Sequence, residues 1–325
     1  MLRFKLPARL LLAGFAALAL ISPSAWAQQK SVAVTAIVEH PALDAIRDGV
    51  REVLTEAGYE DGKNLRWQYQ SAQGNTSIAA QIARKFIGDK PDVIVAISTP
   101  SAQTVVAGTK TIPVVFSAVT DPVAAKLTSS WEATGTNVTG LSDVVELGPQ
   151  IDLILRIVPD AKRVGMVYNP AEANSVAVVK SLQELLAQRG MTLVTAAAPR
   201  SVDVGSAARS LAGKVDVIYT NTDNNVVSAY EALAKVGQDA KIPLIASDAT
   251  IVARGAVAGL GVDYKELGRQ TGRIVLRILN GEKPGDIKPQ ISDKIQLYVN
   301  PAAAQRQGVT LSQELLDAAD EIVNQ

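Results

Sequence analysis

Two stretches of this chain carry the same alternation of apolar runs and polar tips. Residues 90–121 read KPDVIVAISTPSAQTVVAGTKTIPVVFSAVTD. They hold two short apolar runs, 93–97 and 112–116, rich in Val and Ile and each ending in small polar residues. Continuous apolar runs of this length predict strands buried on both faces, as in a parallel sheet. Between them, Thr99-Pro100-Ser101 reads as a helix start, with a hydroxyl cap and proline in the first turn. Residues 215–248 repeat the order: the DVI of 92–94 returns at 216–218, and Ile112-Pro113 returns as Ile242-Pro243.

The flanking segments extend the repeat. A strand over 31–38 is followed by helical apolar spacing over 43–57, with Gly58 at the helix end. A strand over 65–70 and a helix over 77–86 come next. In the second half, a strand begins at Arg163, its helix ends at Gly190, a strand runs over 191–196 and a helix over 204–211. Gly58 and Gly190 each lie 27 residues after their strand begins, so the offset between copies is 132 residues. Three strand–helix units therefore occur twice in the same order, which predicts two α/β lobes, each built on a doubly wound parallel sheet. In such sheets ligands bind beyond the carboxyl ends of the strands. Two copies facing each other place a ligand in the cleft between them.

The remaining segments have weaker signals. Residues 122–140 show no strong element and read as a first passage out of lobe one. A helix is expected over 147–158. The glycine-rich stretch 255–264 reads as a strand crossing back to lobe one, followed by a helix over 266–279, a strand over 295–299 and a helix over 311–323. The expected division is 28–142 plus about 254–285 for lobe one, and 143–253 plus about 286–325 for lobe two.

Composition narrows the class. The full chain of 325 residues has 32 basic and 32 acidic side chains, so no net charge draws it to nucleic acid or anionic lipid. It has no cysteine, which excludes disulfides and thiolate metal sites. Residues 1–27 have the form of a cleavable export signal: basic Arg3, Lys5 and Arg9, an apolar run over 10–21, and the small-residue site Ala25-Trp26-Ala27. Without those three cations the mature chain carries 29 basic against 32 acidic residues, a net of about −3. The expected location is the periplasm. No cofactor is implied, and nucleotide-loop, serine-elbow and zinc motifs are absent.

Candidate chemistry sits at the strand tips. Ser98, Thr99 and Ser101 put hydroxyls at a helix N-terminus, an arrangement that suits either a carboxylate or a plain helix cap. Asp121 and Asp248 end corresponding strands, and Asp223 lies in the tip TNTDNN. Each is a counter-charge for a ligand ammonium or a turn-capping residue. His40, the one histidine, precedes Pro41 at the first strand's tip, without the acidic partner a general base needs. Asn174 and Ser175 occupy the matching tip in the second half, as helix cap or ligand contact.

Taken together, HPALDAIRDGVREVL, AISTPSAQ, IPVVFSAVTDPVAA, VGMVYNPAEANS, TDNNVVSA and GAVAGLGVDYKELGRQTGRI resemble the ABC transporter substrate-binding protein family that includes tryptophan- and tyrosine-type components. The resemblance spans nearly the whole mature chain. It implies the type I periplasmic-binding-protein fold, with three hinge crossovers, and delivery of a small solute to a membrane permease without a chemical step. It carries His40, Pro41, Ser98, Thr99, Ser101 and Asp121 to the first side of the cleft. Asn174, Ser175, Asp223 and Asp248 go to the second. The expected ligand is an amino acid, aromatic or branched-chain, bound by a monomer. An exported sensory binding protein that serves a membrane receptor, and an exported Asp-dependent hydrolase, are the alternatives.

Overall fold

The computed structural model describes residues 29–324, so the expected export signal lies outside the described residues. The chain forms two sheets, each flanked by helices. The first half runs β1 (Lys30–Ala36), α1 (Pro41–Glu56), β2 (Leu65–Ser71), α2 (Thr76–Asp89), β3 (Val93–Ile97), α3 (Thr99–Gly108), β4 (Val114–Ser117) and β5 (Val138–Ser142). The second half begins with α4 (Leu147–Ile157), β6 (Arg163–Tyr168), α5 (Ala173–Gln188), β7 (Thr192–Ala197), α6 (Val204–Leu211), β8 (Val217–Thr220), α7 (Asn224–Ser228), α8 (Tyr230–Ala240) and β9 (Leu244–Ala246). The last part comprises β10 (Ala258–Val262), α9 (Tyr264–Leu279), β11 (Gln290–Ile291), β12 (Ile295–Val299), α10 (Pro301–Arg306), α11 (Gln313–Asp317) and β13 (Glu321–Ile322).

The first sheet has the order β11-β5-β4-β3-β1-β2 and the second β13-β12-β10-β9-β8-β6-β7. All pairings are parallel except β10 with β12. The apolar runs of β3 and β4 are wholly buried, because helices cover both faces of the sheet. Their ends therefore emerge together at one edge, where polar residues are tolerated.

Four places depart from the sequence expectation. Val138–Ser142 forms β5 in the first sheet, inside and just past the stretch read as featureless. Its few side chains, VTGLS, are too short and mixed to give a strand signal, and pairing with β4 makes the strand. Residues 258–262, expected in lobe one, form β10, which pairs with β9 and β12 in the second sheet. The chain rejoins the first side only at α9. In the expected tail helix, five residues form α11 and Glu321–Ile322 instead pairs with β12. Residues 290–291, expected in lobe two, extend the first sheet beside β5. The chain thus passes between sheets three times: after β5, after β10 and after β11.

Helix α9 is clamped to α1. A Cβ on Gly268 would lie 2.5 Å from the carbonyl oxygen of Ile46, and one on Gly49 would lie 2.7 Å from that of Lys265. Only glycine allows the two backbones this close. The clamp also fixes Tyr264, the first residue of α9, at the mouth between the halves.

Candidate functional site

The carboxyl ends of the two sheets face one another across a cavity of about 20 Å³. From the first half it is lined by His40, Leu43, Ser98, Thr99, Ala118 and Thr120; from the second by Asn174, Thr222, Asn224, Val227 and Asp248. Asp143 and Tyr264, on two of the crossing segments, complete it. This volume admits about one water, so an amino-acid-sized ligand enters only when the halves part. The Thr120 and Thr222 hydroxyls approach to 3.4 Å across the gap.

The first half offers donors. Ser98 caps α3 with φ 76° and ψ 157°, a backbone region that costs a non-glycine residue about 1–3 kcal/mol. Ala118, at the tip of the neighbouring strand β4, is also left-handed, with φ 53°. The Ser98 and Ser101 hydroxyl oxygens are buried with no partner among the described residues. Strained backbone and unpaired hydroxyls thus meet at the N-terminus of a ten-residue helix, whose free N–H groups and dipole favour an anion. His40 caps α1 without a side-chain bond, and its buried Nδ1 is unpartnered. Burial, helped by the charge of Arg254, pushes its pKa down to about 3, so the imidazole is neutral at pH 7.

The crossing segments and the second half offer carboxylates. Asp143 accepts from the Thr120 hydroxyl and the Tyr264 phenol, each at 3.3 Å. Burial raises its pKa to about 6 despite these bonds, and the charge of Asp248 adds to the rise. Asp248 uses Oδ1 to cap the following turn, accepting from the Thr250 N–H and hydroxyl at 2.7 Å. Burial raises its pKa as well. Two desolvated carboxylates facing one cavity make a site for a cation that brings hydrogen-bond donors.

Of the residues singled out in the sequence, His40, Ser98, Thr99, Asn174 and Asp248 line the cavity. The others do not. Pro41 is the first residue of α1, and Ser101 lies one turn inside α3. Asp121 caps its own turn, accepting from the N–H groups of Val123 and Ala124. Asp223 is saturated by the N–H groups of Asn169, Asn225 and Val226 and by the Ser175 hydroxyl. It holds the β6 and β8 tips together from behind the cavity. Sequence reasoning missed Asp143, which falls between the stretch 122–140 and the helix expected from 147, where no element was expected. It also passed over Thr120, Thr222 and Asn224, although each adjoins a residue it named. Neither Tyr264 nor Glu172, inside NPAEANS, was singled out.

With the geometry described, comparison with known proteins adds the family. Residues 31–323 match the family described as ABC transporter substrate binding protein. A tyrosine-binding protein of Clostridioides difficile (strain R20291) is 40% identical over 273 residues, 84% of this chain and 79% of that protein. An ABC domain from Streptococcus pneumonia in complex with L-Trp is 30% identical, with TM-score 0.87 over 91% of this chain and 100% of that one. A substrate-binding protein with adhesive properties from Clostridium difficile, in a ligand-free, open structure, is 39% identical over 91% of this chain and 99% of that one, yet its TM-score is 0.68. The chain thus superposes better on the ligand-bound structure than on the open one, against the order of identity. That is the pattern of two halves drawn together. Two more distant solute-binding proteins, 16% and 14% identical with TM-scores of 0.60 and 0.61, share the type I periplasmic-binding-protein fold alone. The chain belongs to the ABC transporter substrate-binding protein family.

Proposed function

We propose that this protein binds an aromatic amino acid in the cleft between its halves and hands it to the permease of an ABC importer after export to the periplasm. One observation carries the reading: a single cavity has an anion-favouring helix start on one side and two buried carboxylates on another. A zwitterion satisfies both. Its carboxylate meets the Ser98 and Thr99 end of α3, and its ammonium meets Asp143 and Asp248. Leu43, Ala118, Val227 and Tyr264 supply apolar surface for a side chain. The tyrosine and tryptophan named for relatives at 40% and 30% identity support an aromatic ring as that side chain.

Binding from both halves at once stabilises the closed arrangement over the open one, the hinge transition expected of such a receptor. No bond is made or broken. The test is a thermal-shift screen of the mature protein against the twenty amino acids. Tyrosine and tryptophan are expected to raise the melting temperature. A screen in which no amino acid raises it contradicts the reading.

A further inference from the structure

The second half presents a cavity-lining carboxamide whose orientation is fixed by its partners. Asn174 lies in the first turn of α5, is 4% exposed, and lines the cavity. Its Nδ2 donates to the Thr222 carbonyl at 3.1 Å and to Glu172 Oε2 at 3.4 Å. Turning the amide over would set its oxygen against the Thr222 carbonyl, an acceptor with no hydrogen to give. The atom left over is Asn174 Oδ1, buried and without a partner among the described residues.

Glu172 is itself held in place. Its Oε2 also accepts from Asn224 Nδ2 at 2.6 Å and Asn224 N–H at 3.2 Å, while Oε1 accepts from Asn169 Nδ2 at 3.4 Å. Glu172 does not line the cavity, but it holds two carboxamides that do. Burial, then the neighbouring Asp223 charge, raises its pKa, so the arrangement carries a standing electrostatic cost. A plain helix cap needs no such assembly.

We infer that Asn174 Oδ1 is a dedicated acceptor for an N–H or O–H donor of the ligand, and that Glu172 is the residue positioning it. The inference rests on the cavity being an amino-acid site. Such ligands carry two kinds of donor. The ammonium is common to all, whereas the indole N–H of tryptophan and the phenol O–H of tyrosine are missing from phenylalanine. A buried acceptor left unpaired penalises a ligand that lacks the matching donor.

Calorimetric dissociation constants for tryptophan, tyrosine and phenylalanine, on wild type, Asn174→Ala, Glu172→Gln and the double variant, test it. Asn174→Ala is expected to weaken tryptophan and tyrosine about tenfold. If phenylalanine is spared, the ring donor is the partner; if all three weaken equally, the ammonium is. Unchanged affinity for all three in folded Asn174→Ala overturns the inference. Glu172→Gln is expected to weaken binding in the wild-type background and to add nothing on top of Asn174→Ala. An equal loss in both backgrounds overturns the positioning role. Glu172→Asp, whose shorter side chain withdraws from Asn174, gives the same cycle should Glu172→Gln not fold. A wild type that binds no amino acid defeats the proposed function, and this inference with it.

Discussion

Asp143 makes the sharpest prediction, because its charge works against the closed, empty protein and for the loaded one. Burial moves its carboxyl from an ordinary 3.8 to about 6, against the opposing hydrogen bonds of Tyr264 and Thr120. At about 1.36 kcal/mol per tenfold change, that is a penalty of about 3 kcal/mol on the ionised group. Below about pH 4 the group is protonated both folded and unfolded, and contributes nothing to stability. Between about pH 4 and 6 the folded protein retains a proton that the unfolded chain releases, so this contribution turns unfavourable as pH rises. Above pH 6 the whole penalty stands. Asp143→Asn removes it. The ligand-free variant is therefore expected to exceed wild type in stability at pH 7 by up to about 3 kcal/mol, and to match it near pH 4. Opening of the cleft rehydrates the carboxylate, so the full value is an upper bound. Urea titrations at the two pH values read the difference. The same substitution takes away a counter-charge of the ligand ammonium, so affinity is expected to fall by at least about 2 kcal/mol, roughly thirtyfold. A variant with no stability advantage at pH 7, or with wild-type affinity, refutes the assignment.

Other substitutions separate cavity from scaffold. Ser98→Gly relieves the positive-φ backbone and is expected to raise stability by up to about 1 kcal/mol while weakening ligand binding; a less stable variant shows that the backbone strain is not the governing factor. Asp121→Ala loses a turn cap, costing about 1 kcal/mol in a melt, with affinity unchanged; a large affinity loss would place Asp121 in the site after all. Gly268→Ala forces a Cβ to within 2.5 Å of the Ile46 carbonyl, so α1 and α9 must separate, at an expected cost of about 1–3 kcal/mol; wild-type stability contradicts the close packing.

The sequence was informative wherever periodicity repeats. The apolar runs of β3, β4 and β8, and the fixed offset between Gly58 and Gly190, gave the doubled α/β plan because buried parallel strands leave an unmistakable pattern. β5 was missed because it is short, glycine-containing and made by pairing with β4, whereas β10 was read as a strand but assigned to the wrong sheet, because its apolar run does not say which neighbours it pairs with. The site divided the same way. Ser98 and Thr99 were legible as a strand-to-helix tip. Asp121 caps its own turn and Asp223 is taken up by N–H and hydroxyl donors of neighbouring tips, as an aspartate at a strand tip caps a turn as readily as it meets a ligand. Asp143 carried no local signal, since what makes it a site residue is burial opposite Asp248 and Tyr264, which only the closed fold creates. Glu172 was invisible for a further reason, since it acts through Asn174 and Asn224 and not on the cavity.

The central claim is that two halves swing together on one small solute. Small-angle X-ray scattering of residues 28–325, with and without saturating tryptophan or tyrosine, tests it most directly. The account predicts a larger radius of gyration without ligand, and a ligand-bound curve that matches the compact arrangement described above. An envelope unchanged by a ligand shown to bind under the same conditions would contradict it.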